Sequence, residues 1–111
     1  IRRVGLACGA KAETFSGLSG LGDLTVTCFS RQSRNRAFGE RIGKGEKIDD
    51  VLSSLSSVAE GYPTARSAAQ LANRLQVEAP IIREVHALLY EGKPARDALR
   101  DLVTRDSKSE D

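Results

Sequence analysis

Two short stretches hold the side chains best suited to chemistry. The first is Ser33-Arg34-Asn35-Arg36. Serine is a strong helix N-cap, and a capped helix start turns free N–H groups and the positive end of the helix dipole outward. Arg34, in the first turn, adds a planar cationic fork that matches phosphate oxygens. Ser33 and Asn35 add short groups that donate to phosphate or hydroxyl oxygens. The same residues also read as a plain serine cap followed by two solvated arginines. The second stretch is Leu21-Gly22-Asp23-Leu24, where a carboxylate stands among apolar neighbours and needs partners. Asp23 can accept from polyol hydroxyls, steady a catalytic ammonium, or sit in a structural salt bridge with an arginine.

Other signals are weaker. Gly17-Leu18-Ser19-Gly20-Leu21-Gly22 has the order G-x-x-G-x-G with no strand before it, so the dinucleotide-binding fingerprint is not met. A glycine-lined packing face, within the chain or toward a partner, is the alternative. His86 is the only histidine and lies beside an apolar stripe, which reads as structural. It completes neither a catalytic triad nor a zinc site, and no metal is expected. Cys8 and Cys28 fit no metal or C-x-x-C spacing and read as reduced, buried thiols of a cytoplasmic protein. Arg31, Arg34, Arg36, Arg41, Lys44 and Lys47 raise nucleic acid as a rival ligand, although only Phe29 and Phe38 are at hand for base stacking.

Helices must position these groups. The chain has 111 residues, 40% of them hydrophobic, and a formal charge of +2, which fits one globular domain and names no partner by charge. No apolar run approaches the roughly 18 residues of a membrane span, and no secretory signal is expected. The first residue is Ile rather than Met, from which an upstream segment is expected. Apolar residues recur at helical spacing almost throughout. Residues 80–91 carry Ile81, Ile82, Val85, Leu88 and Leu89 behind Pro80, with Gly92 to close. A second stripe follows Pro94. Residues 64–76 form an alanine-rich helix, Asp49 or Asp50 can cap one presenting Val51 and Leu52, and Ser33 caps one ending at Gly43-Lys44-Gly45. Residues 13–28 present Phe15, Leu18, Leu21, Leu24 and Cys28 on one side, but their glycines predict a helix that is broken or tightly packed. The expected fold is an all-α domain of about six or seven helices.

Three blocks together resemble one family. They are residues 9–24 (GAKAETFSGLSGLGDL) with Thr27-Cys28, then Ser33-Arg34-Asn35-Arg36 with Gly43-Lys44-Gly45, then Val58-Ala59-Glu60-Gly61-Tyr62 with Pro80-Ile81 and Leu89-Tyr90-Glu91-Gly92. In this order they are similar to the C-terminal domain of bacterial NAD(P)-dependent glycerol-3-phosphate dehydrogenase. The resemblance implies an all-α domain shaped like the C-terminal domain of 6-phosphogluconate dehydrogenase, over residues 1–105, with a polar tail at 106–111. It implies hydride transfer between NAD or NADP and C2 of dihydroxyacetone phosphate, giving sn-glycerol 3-phosphate for phospholipid synthesis. Asp23, Ser33, Arg34 and Asn35 would line the substrate. Arg34, Val58 and Glu60 would touch the cofactor. The family's N-terminal Rossmann domain and its proton-transferring lysine lie upstream, so no catalytic residue is expected among these residues, and Lys11 falls in a different motif. The implied partners are the small-molecule substrate and the enzyme's own Rossmann domain, without nucleic acid or a membrane span, and a homodimer is left open. The chain departs from the family at Ser19, where alanine is common, and at Phe29, where a small hydroxyl residue is common.

Overall fold

The helical periodicity is realised as eight α-helices among the described residues, 1–57 and 59–106 of a computed structural model, with no strand among them. They are α1 (Arg2–Ala7), α2 (Ala12–Ser16), α3 (Asp23–Phe29), α4 (Arg34–Gly43), α5 (Ile48–Ser54), α6 (Gly61–Arg74), α7 (Pro80–Tyr90) and α8 (Ala95–Thr104). The expectation of six or seven is exceeded because residues 13–28 are broken rather than continuous. Between α2 and α3 the chain forms a single π turn, Leu18–Gly22, in which the Gly22 N–H reaches the Gly17 carbonyl over 3.2 Å. Gly20 fixes the break, since its backbone lies directly against that of Phe15.

The core belongs to the later helices. Phe38 and Ile42 of α4, Val51 of α5 and Ala59 are buried together, with Ile48, Leu52, Leu55, Tyr62, Leu88 and Leu89 packed on them. Ala65 and Ala72 keep α6 close to α7, and Ala98 seats α8. The turns follow the sequence, with Gly45 and Gly92 at φ +96° and +72° after α4 and α7, and Pro80 opening α7. One cap differs. Lys47 precedes α5, while Asp49 and Asp50 lie inside its first turn, where they favour the dipole without making a side-chain cap bond.

None of residues 1–33 is buried. Leu18 is 91% exposed and Phe29 80%, and Leu21 and Val26 are exposed as well. Cys8 and Cys28 correct the expectation of buried thiols, since both are free and exposed, Cys8 just past the end of α1 and Cys28 on α3, in the part of the chain that buries no residue. The N-terminal helices join the rest through few contacts. One of them runs from Arg3 Nη1 to the Glu78 carbonyl over 2.9 Å. The radius of gyration, 14.7 Å, exceeds the about 13 Å of a compact chain of this length, as such an outlying arm requires. No helix among the described residues is long and apolar enough to cross a membrane.

Candidate functional site

The site begins where α3 gives way to α4. In the connecting turn the Gln32 N–H donates to Ser30 Oγ over 3.2 Å, and the Ser33 N–H reaches the Ser30 carbonyl over 3.3 Å. Ser33 caps α4 as its sequence predicts, its Oγ accepting the Arg36 N–H over 3.2 Å. Arg36 Nη1 turns back and donates to the Phe29 carbonyl over 3.3 Å, tying α4 to the end of α3. The N–H groups of Arg34 and Asn35 find no acceptor among the described residues, which leaves two backbone donors at the positive end of a ten-residue helix.

A second helix start is brought to the same place. Asn35 Oδ1 accepts the Gly61 N–H over 2.8 Å, across 26 positions of sequence, so Glu60 sits beside the start of α4. A cleft of about 360 Å³ opens there, lined by Val26, Thr27, Ser30, Gln32, Ser33, Arg34, Asn35 and Glu60. Neither Arg34 nor Glu60 forms an ion pair among the described residues. One wall therefore offers a guanidinium, N–H donors and hydroxyls suited to a phosphate dianion, while Glu60 offers an acceptor for a hydroxyl. With no lysine, histidine or cysteine in its lining, the cleft is built for holding and orienting.

Ser33, Arg34, Asn35 and Glu60 are thus brought together. Asp23 is not among the lining residues. It opens α3, is exposed, and its side chain has no bonding partner among the described residues. It stands one helical turn before Thr27, so the two share a face of α3. Val58 lies outside the described residues. Thr27, Ser30 and Gln32 escaped the sequence reading, and their signal was the run of hydroxyl and amide residues just ahead of the cap.

Several other groups are engaged elsewhere in the fold. His86 is half-buried, its Nδ1 3.0 Å from Glu91 Oε2 and its ring stacked on Tyr90 at 5.3 Å. The basic span is partly neutralised from within. Arg41 grips Glu46 through two hydrogen bonds of 2.9 and 2.8 Å, and Lys44 pairs with Glu40 at 3.2 Å. No group of three or more His, Cys, Asp and Glu able to hold a metal ion exists among the described residues.

Residues 1–100 match the family model described as NAD-dependent glycerol-3-phosphate dehydrogenase C-terminus. The glycerol-3-phosphate dehydrogenase [NAD(P)+] of Prosthecochloris aestuarii is 54% identical over 110 residues, 99% of this chain and 33% of the relative. That of Geobacter sulfurreducens is 52% identical over 108 residues, 97% of this chain and 32% of the relative. The crystal structure of glycerol-3-phosphate dehydrogenase from Coxiella burnetii superposes with a TM-score of 0.88 at 35% identity, over 93% of this chain and 32% of that one. The chain spans about a third of the length of the curated relatives it matches.

Proposed function

Because the chain belongs to the family of C-terminal domains of NAD-dependent glycerol-3-phosphate dehydrogenase, we propose that it is the substrate-holding part of an enzyme interconverting dihydroxyacetone phosphate and sn-glycerol 3-phosphate. The observation that carries this reading is the cleft at the start of α4, where Ser33, Arg34 and Asn35 converge with Glu60. Arg34 binds the phosphate through its fork, and the free N–H groups of Arg34 and Asn35 add the helix dipole to that attraction. The Ser33 hydroxyl and the Asn35 amide orient the ester and the triose oxygens. Asp23, on the same face of α3 as Thr27, orders the polar groups around the reacting carbon from the open side.

The nicotinamide cofactor would be held mainly by the Rossmann domain of the longer protein, with this chain supplying one edge. Arg34 and Glu60 fit that task by their chemistry, a fixed cation for phosphate oxygens and a carboxylate for ribose hydroxyls, and Val58 completes the proposed contact. When bound, the cofactor supplies the hydride. The residues of this chain bind, orient and exclude water, while the proton is moved by a lysine outside it.

The exposed apolar side chains of the N-terminal third, Leu18, Leu21, Val26 and Phe29, are the surface on which the Rossmann domain would rest. Residues 1–105 then form the helical domain, and of the expected tail, 106–111, all but residue 106 lie outside the described residues. Two free thiols suit a cytoplasmic location. Exposed Ile81, Val85, Leu99 and Val103 on α7 and α8 suit pairing of two copies.

The test is Arg34→Ala in the full-length dehydrogenase. It is expected to raise KM for dihydroxyacetone phosphate by about 10- to 100-fold, the value of hydrogen bonds to a charged group, while the urea midpoint stays in place. Loss of folding without selective loss of substrate use would make Arg34 a structural arginine. The 111-residue chain alone is expected to show no NADH-linked reduction of that substrate.

A further inference from the structure

We infer that Gly61 is a positioning residue for substrate capture, acting through Asn35; this rests on reading Asn35 as a substrate ligand. A backbone N–H can only donate, so the Asn35 oxygen must face Gly61 and both Nδ2 protons are turned away from it. Those protons are the donors that Asn35 offers to the cleft it lines. Without the Gly61 bond the amide could turn over and present its oxygen to a phosphate, which repels it. Gly61 thereby fixes the sign of the Asn35 side chain as well as its place.

The donor is the firmer of the two partners. Gly61 is followed by Tyr62, whose N–H donates to the carbonyl of buried Ala59 over 3.0 Å. The Tyr62 ring stacks on Tyr90 at 4.7 Å and meets Phe38 edge-on at 6.0 Å. Its carbonyl accepts the Tyr90 hydroxyl over 2.5 Å. Asn35, in the first turn of α4, is exposed and adjusts to that fixed point.

Glycine is also required for space. A Cβ on Gly61 would stand 2.9 Å from Asn35 Oδ1 and 3.1 Å from its Cγ. The atoms in the way are the end of one side chain. An alanine there displaces the Asn35 amide rather than the helix.

In the full-length dehydrogenase, Gly61→Ala is expected to raise KM for dihydroxyacetone phosphate about tenfold, the loss of one hydrogen bond to a charged group. The values of kcat and the urea midpoint should change little. Asn35→Ala should give the same rise, and the double variant no more than either alone, because the glycine works only through that amide. Gly39→Ala, on α4 with nothing within 4 Å of the added carbon, is the control and should keep the native KM. A native KM in Gly61→Ala, or losses that add in the double variant, overturns the inference. A native KM in Asn35→Ala sinks instead the reading of Asn35 as a substrate ligand, and the inference with it. Should Gly61→Ala not fold, amide hydrogen exchange by NMR decides. Slow exchange at Gly61 that becomes at least about tenfold faster in Asn35→Ala supports the bond, since exchange reads local opening; equal rates overturn it.

Discussion

The carbonyl of Phe15 lies where a Cβ of residue 20 would stand, 2.4 Å away, so only glycine fits at Gly20. Backbone atoms make this contact, with the Phe15 Cα and carbonyl carbon both at 2.6 Å, and nothing there can swing aside. The π turn and the direction of α3 depend on it.

Gly20→Ala is therefore expected to destabilise the N-terminal third by about 2 kcal/mol, the cost of overpacking a closed site. Gly39→Ala should do the opposite. Its Cβ would meet open space inside a regular helix, so it should stabilise by about 0.5–1 kcal/mol through lost backbone freedom in the unfolded chain. Urea midpoints of the two variants check the contrast. A Gly20→Ala protein as stable as the parent would mean the π turn relaxes freely.

Ser33 separates folding from binding. Ser33→Ala removes the Oγ that accepts the Arg36 N–H and should cost about 1 kcal/mol. Ser33→Asp keeps a good cap, and so should keep stability, but sets a negative charge where a phosphate is proposed to bind. Equilibrium titration with glycerol 3-phosphate in the full-length enzyme should show binding weakened in Ser33→Asp well beyond Ser33→Ala. Equal affinity in the two would remove the phosphate from this helix start.

Acid should act through two surface clusters. Hydrogen bonding from Arg41 holds the Glu46 carboxyl below its ordinary value, and Lys93 does the same for Asp101. A carboxyl whose folded pKa is depressed contributes stability above its unfolded pKa and loses it as pH falls through the folded one. The chain should lose part of its stability below about pH 4, the ordinary carboxylate range. Urea midpoints followed from pH 7 downward should fall less steeply in Glu46→Gln and Asp101→Asn than in the parent. Parallel curves would mean that these contacts carry no proton linkage.

The later helices were plain in the sequence because periodicity, caps and stops agreed there. Ser33, Gly45, Pro80 and Gly92 each mark a boundary by local chemistry alone. The break at residues 13–28 was legible only as a choice between a broken and a packed helix. Deciding it required the approach of Gly20 to Phe15, a contact between backbones that no residue pattern encodes. Periodicity likewise set Leu18, Leu21 and Leu24 on one side but said nothing of what covers them, and among the described residues all three stay exposed. At the site, the cap chemistry of Ser33-Arg34-Asn35 announced itself. The meeting of Asn35 with Gly61 joins positions too far apart for any local signal.

The cleft has walls of unequal firmness. Arg34 and Asn35 on α4, and Glu60 just ahead of α6, adjoin the aromatic and aliphatic interior, whereas Val26, Thr27 and Ser30 ride on an arm that buries no side chain of its own. A ligand seated between them would meet a deeply anchored wall on one side and a thinly supported one on the other.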